Sequence, residues 1–374
     1  MEIQSNRLIS LDAFRGITIV AMILVNNPGS WSNVYPPLLH ATWNGWTPTD
    51  FIFPFFLFIM GVAMPFSLGK RIERGDSRKE LFAKVMRRTL IIFFLGLFLN
   101  FYWHFDLATL RIPGVLQRIA ICYFFASVIM LTLNKKWQIG LSFFILIAYW
   151  AALKLIPVPD YGAGILQPEG NLVWYIDKHL LAGHTWKFAP AAGFDPEGIL
   201  STFPAIISVM FGVFTGDWLR TEKSGYEKVA GLFIFANVGL VLGVIMHIWF
   251  PINKNLWTSS YVVFMAGMAL HFLAFCYWLI DIKSWQAWAK PFVIFGTNAI
   301  VAYFTGSLFG KTVAYWNITA ADGTEVSIKT WFYENLLVPV AGEMNGSLLF
   351  PVILILIWLG FLYMLYRRKI FIKI

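Results

Sequence analysis

Ten stretches of about 20 predominantly apolar residues recur along this chain, each long enough to cross the hydrocarbon core of a bilayer as a helix. They run over residues 9–27, 49–68, 85–103, 114–133, 138–156, 198–218, 229–250, 257–280, 291–309 and 348–366. Inside lipid a backbone must satisfy its own hydrogen bonds, so runs of this length predict helices and little else. The bulk numbers agree: 58% of residues are hydrophobic, 13% are charged, and the mean hydropathy is +0.66. The expectation is an all-α polytopic membrane protein, one transmembrane domain over residues 1–374 with ten spans and the bilayer as its first partner. Its longer connections lie at 28–48, 157–197 and 310–347.

Orientation follows from the basic residues. One alternate set of connections, taken with Arg87 and Arg88 at the start of the third stretch, holds twenty Lys and Arg, from Arg7 through the cluster Lys70–Arg88 to Lys373, and the other holds six. Basic loops stay on the cytoplasmic side, which puts both termini inside and the three long connections outside. A net charge of +9 in a chain of this kind reflects that bias, and no nucleic-acid partner is expected. The two cysteines, Cys122 and Cys276, sit within apolar runs and read as small core residues. No zinc HExxH pair, GxSxG elbow, Walker loop or GxGxxG turn occurs, and no metal site is expected.

Candidate chemistry therefore rests on polar groups at or below the membrane surface, where each one costs free energy unless it is used or paired. His40 begins a polar aromatic turn, His40-Ala41-Thr42-Trp43-Asn44-Gly45-Trp46-Thr47-Pro48-Thr49-Asp50, that runs straight into the second apolar stretch. An imidazole with a carboxylate ten residues on is a proton acceptor with an orienting acid. It is equally an interfacial histidine beside a helix cap, since Thr47, Pro48 and Asp50 resemble a capping box.

Other groups carry similar pairs of readings. Asn26, at the outer end of the first span, offers an amide to a developing oxyanion or terminates its helix. Trp43 and Asn44 have the flat ring and amide that suit a sugar, as well as the composition of an interfacial belt. Arg118 lies one to two turns inside the outer surface and calls for Asp50, Asp106 or a ligand as its anion. Asn298 and His271 are further polar groups in apolar spans, His271 reading most simply as an interhelical hydrogen-bonder. Asp12 and Arg15, three apart, form an intrahelical pair. Asp195-Pro196-Glu197 reads as the cap of the sixth span.

Several of these stretches together resemble one family. Arg7-Leu8-Ile9-Ser10-Leu11-Asp12-Ala13-Phe14-Arg15-Gly16, the stretch from His40 to Gly61, Arg111-Ile112-Pro113-Gly114-Val115-Leu116-Gln117-Arg118, Asp195-Pro196-Glu197-Gly198-Ile199-Leu200 and Pro251-Ile252-Asn253-Lys254-Asn255-Leu256-Trp257 are similar to the heparan-α-glucosaminide N-acetyltransferase family, in particular its bacterial NagX-type members. The resemblance covers about residues 7–366. It implies a transmembrane acetyltransferase that takes acetyl-CoA as co-substrate from the cytosolic side and acetylates an amino-sugar amine on the far side, in a bacterial inner membrane. It also implies that His40 is the active-site histidine, Asn26 its neighbouring asparagine and Asp50 its acid. A homodimer is among the implied partners, although dimer contacts and polysaccharide recognition that depend on the large lumenal region of lysosomal members do not transfer. Two rival readings share the gross features: a small-molecule transporter, and an acyltransferase of wall or surface glycans.

Overall fold

The computed structural model describes residues 8–319 and 323–372, so Arg7 and Lys373 of the topology count lie outside the described residues. Among the described residues the fold is all-α apart from one hairpin. Its helices are α1 (Ile9–Asn26), α2 (Ile52–Met64), α3 (Lys70–Glu73), α4 (Arg78–Phe101), α5 (Val115–Thr132), α6 (Lys135–Leu155) and α7 (Leu172–Leu180). They continue with α8 (Thr202–Leu219), α9 (Gly225–His247), α10 (Ser259–Cys276), α11 (Lys290–Thr297), α12 (Ala299–Tyr315), α13 (Ile328–Phe332) and α14 (Val338–Arg367). The hairpin pairs Asn317–Thr319 antiparallel with Glu325–Ser327.

Among the described residues, eight helical stretches are long and apolar enough to span a membrane, or nine if α11 and α12 count together. Those two helices meet at 84°, so the expected span 291–309 is broken at Asn298. The remaining expected span, 85–103, falls in α4, which has the length at 24 residues but carries Lys84, Arg87 and Arg88 in the part that would cross. One of these is held locally: the Arg88 guanidinium lies 4.6 Å from the ring centre of Tyr123 on α5.

The chain divides into two compact units. The first comprises Met1–His40, Thr47–Phe53 and Phe272–Lys373. Here α1 crosses α11 at a pair of glycines: a Cβ on Gly16 would come 1.7 Å from the carbonyl oxygen of Phe292, and one on Gly296 would come 1.9 Å from that of Asp12. Only hydrogen side chains permit that approach. The N-cap Leu8 has no side chain able to accept from the helix, and the Asp281 carboxylate takes the N–H groups of Ile9 and Ser10 at 3.0 and 3.2 Å instead. Asp12 and Arg15 form the expected pair at 3.1 Å, and Arg15 also donates to Gly296 O. α14 turns sharply at Gly342, whose φ of 76° belongs to the left-handed region.

The second unit comprises Ala41–Trp46 and Pro54–His271. Its central crossing again uses glycine, with a Cβ on Gly61 falling 2.0 Å from Val209 O and one on Gly212 falling 2.1 Å from Phe58 O. That brings α2 against α8 backbone to backbone. The long connection 157–197 is not loose. Asn171 caps α7 by accepting from Trp174 N at 2.9 Å, and Val173, Trp174, Phe194, Phe250 and Leu256 build a buried cluster beneath it.

Candidate active site

In the first unit the chain leaves α1, makes a short 3-10 turn at Pro36–Leu38 and reaches His40. Asp50 returns beside it because Pro48–Phe51 forms a second 3-10 turn that leads into α2. The His40 Nδ1 lies 2.7 Å from Asp50 Oδ1. Asp50 is 1% exposed, whereas the imidazole is 48% exposed. The second carboxylate oxygen does separate work: Oδ2 accepts from Thr47 N at 2.9 Å and from Thr47 Oγ1 at 3.2 Å. Capping and contact with His40 thus coexist, one on each oxygen. An ionised carboxylate only accepts, so with Asp50 ionised and the ring neutral, the hydrogen of His40 belongs on Nδ1 and the lone pair on Nε2. Such an arrangement can take a proton at Nε2 and stabilise the imidazolium that results.

The turn between these two residues belongs to the second unit and is pinned there. Trp43 Nε1 donates to Leu166 O at 2.8 Å, and its ring meets Phe194 edge-on at 5.7 Å. Asn44 Oδ1 accepts from Asn253 Nδ2 at 3.1 Å, and Gly45 N donates to Ile252 O at 2.7 Å. Trp43 is half-buried and Asn44 exposed, so the amide presents polar atoms at the surface while the indole anchors the turn.

A second polar centre lies in the same unit. Arg118, on the first turn of α5, is 1% exposed. Its Nη2 donates to Gly198 O at 3.0 Å and to Ser201 Oγ at 2.5 Å, and its Cζ stands 5.2 Å from the ring centre of Trp257. The expected carboxylate partner is missing: among the described residues no acid pairs with it, and Asp106 instead accepts from Ala108 N and Thr109 Oγ1 in its own turn. Two acids beside Gly198, Asp195 and Glu197, are claimed by Arg111. It donates from Nε and Nη2 to the two oxygens of Asp195, at 2.8 and 2.6 Å, and from Nη2 to Glu197 at 2.5 Å. Burial opposes the charge on both partners, yet their mutual attraction prevails, raising the Arg111 pKa and lowering that of Glu197. This cluster explains a departure from the sequence reading. Asp195 does not cap α8, which starts at Thr202 behind Ser201, because its oxygens are committed to Arg111, Trp186 N and Glu197 N.

A model of the family described as heparan-alpha-glucosaminide N-acetyltransferase, catalytic, matches residues 7–244. The chain belongs to this family. It is 29% identical to the human protein named heparan-alpha-glucosaminide N-acetyltransferase over 424 aligned positions, covering 98% of this chain and 60% of that one. The mouse protein of the same name is 28% identical over 426 positions, covering 99% and 61%. The chain therefore spans about three-fifths of the length of these relatives.

The N-acetyltransferase family match takes in Asn26, His40, Trp43, Asn44, Asp50 and Arg118 and leaves out His271 and Asn298. Of the proposed catalytic trio, the structure joins His40 and Asp50. Asn26 is the last residue of α1 and is exposed, with no side-chain hydrogen bond among the described residues, while neighbouring Asn27 ends the helix by donating to Ile23 O. His271 bonds within its own helix, Nδ1 to Gly267 O at 3.2 Å, and packs its ring on Phe233 of α9. Asn298 spends both ends of its amide on the C-terminal chain, donating to Ile370 O at 3.1 Å and accepting from Ile372 N at 2.9 Å. Among the described residues, no group of three His, Cys, Asp or Glu side chains is placed to hold a metal ion.

Sequence reasoning passed over Asp177, which is fully buried on α7. Its position three residues beyond Trp174 and four beyond Val173 sets it on the apolar face of that helix, a signal that periodicity alone carries. Ser201 and Trp257, which meet Arg118 from distant segments, had no comparable local sign.

Proposed function

We propose that this protein transfers an acetyl group from acetyl-CoA to the amine of a glucosamine-like amino sugar, with His40 as general base. The observation that carries the reading is the 2.7 Å contact between the half-exposed His40 imidazole and a buried carboxylate, inside the segment that matches an N-acetyltransferase catalytic family. An amino-sugar amine is protonated at neutral pH and must lose a proton to become a nucleophile. His40 Nε2 takes that proton, and the amine lone pair attacks the thioester carbonyl carbon. The tetrahedral intermediate collapses with cleavage of the carbon–sulfur bond, the departing thiolate takes the proton from the imidazolium, and the acylated nitrogen gives its second proton to water to become the neutral amide. The products are the N-acetyl sugar and CoA thiol, with one proton released overall. Asp50 holds the ring in the productive tautomer throughout.

Asn26 is the residue we assign to the oxyanion, as an amide donor at the end of α1. Trp43 and Asn44 are assigned to the sugar, on the strength of a fixed indole and an exposed amide. The imbalance of twenty basic residues against six supports a donor on the cytoplasmic side and an acceptor outside, with the protein in a bacterial inner membrane. Purified protein in detergent, supplied with acetyl-CoA and glucosamine, should release CoA thiol and form N-acetylglucosamine. Uptake of the sugar by proteoliposomes without acetylation would instead establish a transporter. Radiolabelled acetyl-CoA without acceptor tests the direct route: stable label on wild type that His40→Ala removes would replace it with an acetyl-imidazole intermediate.

A further inference from the structure

Arg118 is in a setting that a guanidinium rarely tolerates. It is 1% exposed, and only one of its three nitrogens, Nη2, has partners. Nε and Nη1 are buried without any. No carboxylate pairs with it among the described residues, and Trp257 covers one face. A permanent cation withdrawn from water in this way is strongly unfavourable unless an anion or a set of acceptors meets it.

The nearest internal candidate does not serve. Asp177 lies against the same Gly198 that Arg118 bonds: a Cβ on that glycine would fall 1.9 Å from Asp177 Oδ2, while the glycine's carbonyl accepts from Arg118. Asp177 turns Oδ1 to the N–H of Ile199 at 2.9 Å, and its Oδ2 is buried without a partner. Two unsatisfied groups of opposite kind therefore flank a single residue. Burial, the proximity of Asp195 adding to it, pushes the Asp177 carboxyl up to about 7. Below that pH it is protonated and offers Arg118 no charge.

We propose that Arg118 holds a bound monovalent anion, a halide or a small carboxylate, on the N–H groups that Nε and Nη1 leave unpartnered. The bound anion then plays the part of counter-charge that Asp177 takes over once ionised, so the two compete and anion affinity falls as pH rises through neutrality. The other charges facing this place are Asp195 and Glu197, both engaged by Arg111, and Lys254, which acts on Glu197. The Tyr149 phenol, from α6, is committed to Leu256 O. This inference is independent of acetyl transfer, and its test does not use activity.

The full chain in detergent is melted in sodium chloride, sodium formate and sodium gluconate at equal ionic strength, about one unit below and above pH 7. Wild type should melt about 2 °C higher in chloride or formate than in gluconate at the lower pH, with a smaller gain at the higher pH. A gain in chloride alone assigns a halide, and a gain in formate alone assigns a carboxylate. Asp177→Asn should keep the full gain at both pH values, and Arg118→Gln should lose it. Should Arg118→Gln fail to fold, the Asp177→Asn comparison still decides. Equal melting in all three salts for wild type and Asp177→Asn overturns the proposal. So does a gain that survives unchanged in Arg118→Gln, or a bromide anomalous map with no ion beside Arg118.

Discussion

Replacing Asp50 by Asn separates the two tasks that this residue performs with two oxygens. The carboxylate accepts from His40 Nδ1 on one side and from Thr47 N and Oγ1 on the other. An amide has one oxygen and one NH2, so it can accept on only one side. If its oxygen stays with Thr47, the NH2 faces His40, Nδ1 must become the acceptor, and the ring hydrogen moves to Nε2, where it blocks the base. If its oxygen turns to His40, two donors confront each other at Thr47. The first arrangement retains the cap and loses the tautomer, the second the reverse. General-base catalysis is worth about 10²–10⁴-fold, and a misoriented tautomer in a Ser-His-Asp site costs about 10⁴. Loss of a helix cap costs about 1 kcal/mol, which in a chain of this length moves Tm by about 1–2 °C. Asp50→Asn should therefore lower kcat by about 10²–10⁴-fold with a Tm within about 2 °C of wild type. Thiol release from acetyl-CoA with glucosamine, measured beside thermal melting on the same preparation, reads both quantities. Unchanged kcat with a Tm several degrees lower would refute the reasoning and leave Asp50 a cap only.

The other predictions rest on single contacts. His40→Ala should leave the protein folded, because Asp50 keeps its bonds to Thr47, while reducing acetyl transfer at least about 100-fold; substantial turnover would remove His40 from the chemistry. Asp177 is held well above its ordinary value, so it contributes stability that is complete below about pH 4 and is lost as pH rises through about 7; the loss is on the order of 4 kcal/mol. Melting against pH should show that decline in wild type and a flatter profile in Asp177→Asn, which keeps an oxygen for Ile199. Gly296→Ala forces a methyl against the Asp12 carbonyl and should cost about 1–3 kcal/mol, read as a lower Tm. Arg111→Met strands Asp195 and Glu197 and should cost about 3–5 kcal/mol by the same measurement.

What could be read from residues alone follows the distance over which each interaction acts. Apolar length is local, and it located the helices, including α4, whose basic first half is also visible in the sequence but was outweighed by its apolar second half. The Asp12–Arg15 pair and the Thr47–Asp50 turn are equally local, three residues apart in each case. The His40–Asp50 contact closes over ten residues through a segment rich in turn formers, and the cap and the contact from which its two readings start are both present in the geometry. The 84° break at Asn298 was not, since no proline marks it; it depends on Asn298 reaching Ile370 and Ile372, more than seventy residues away.

Two arginines, one before α5 and one on its first turn, show where that legibility ends and why. Arg111 and Arg118 stand seven apart in one motif, and the sequence offers both the same nearby acids. The structure gives Asp195 and Glu197, 84 and 86 residues on, to Arg111, and leaves Arg118 a serine, a carbonyl and an indole. Arg111 approaches from the loop before α5 and engages both oxygens of one carboxylate and an oxygen of the other, and these charge-assisted bonds outweigh the burial that opposes ionisation. Arg118 approaches from inside the helix bundle, where a second ionised acid would be far more expensive, and the acid that is there, Asp177, keeps its proton up to about pH 7. One arginine is thereby held by two carboxylates and the other by a carbonyl, a hydroxyl and a ring, a difference that the motif the two residues share does not carry.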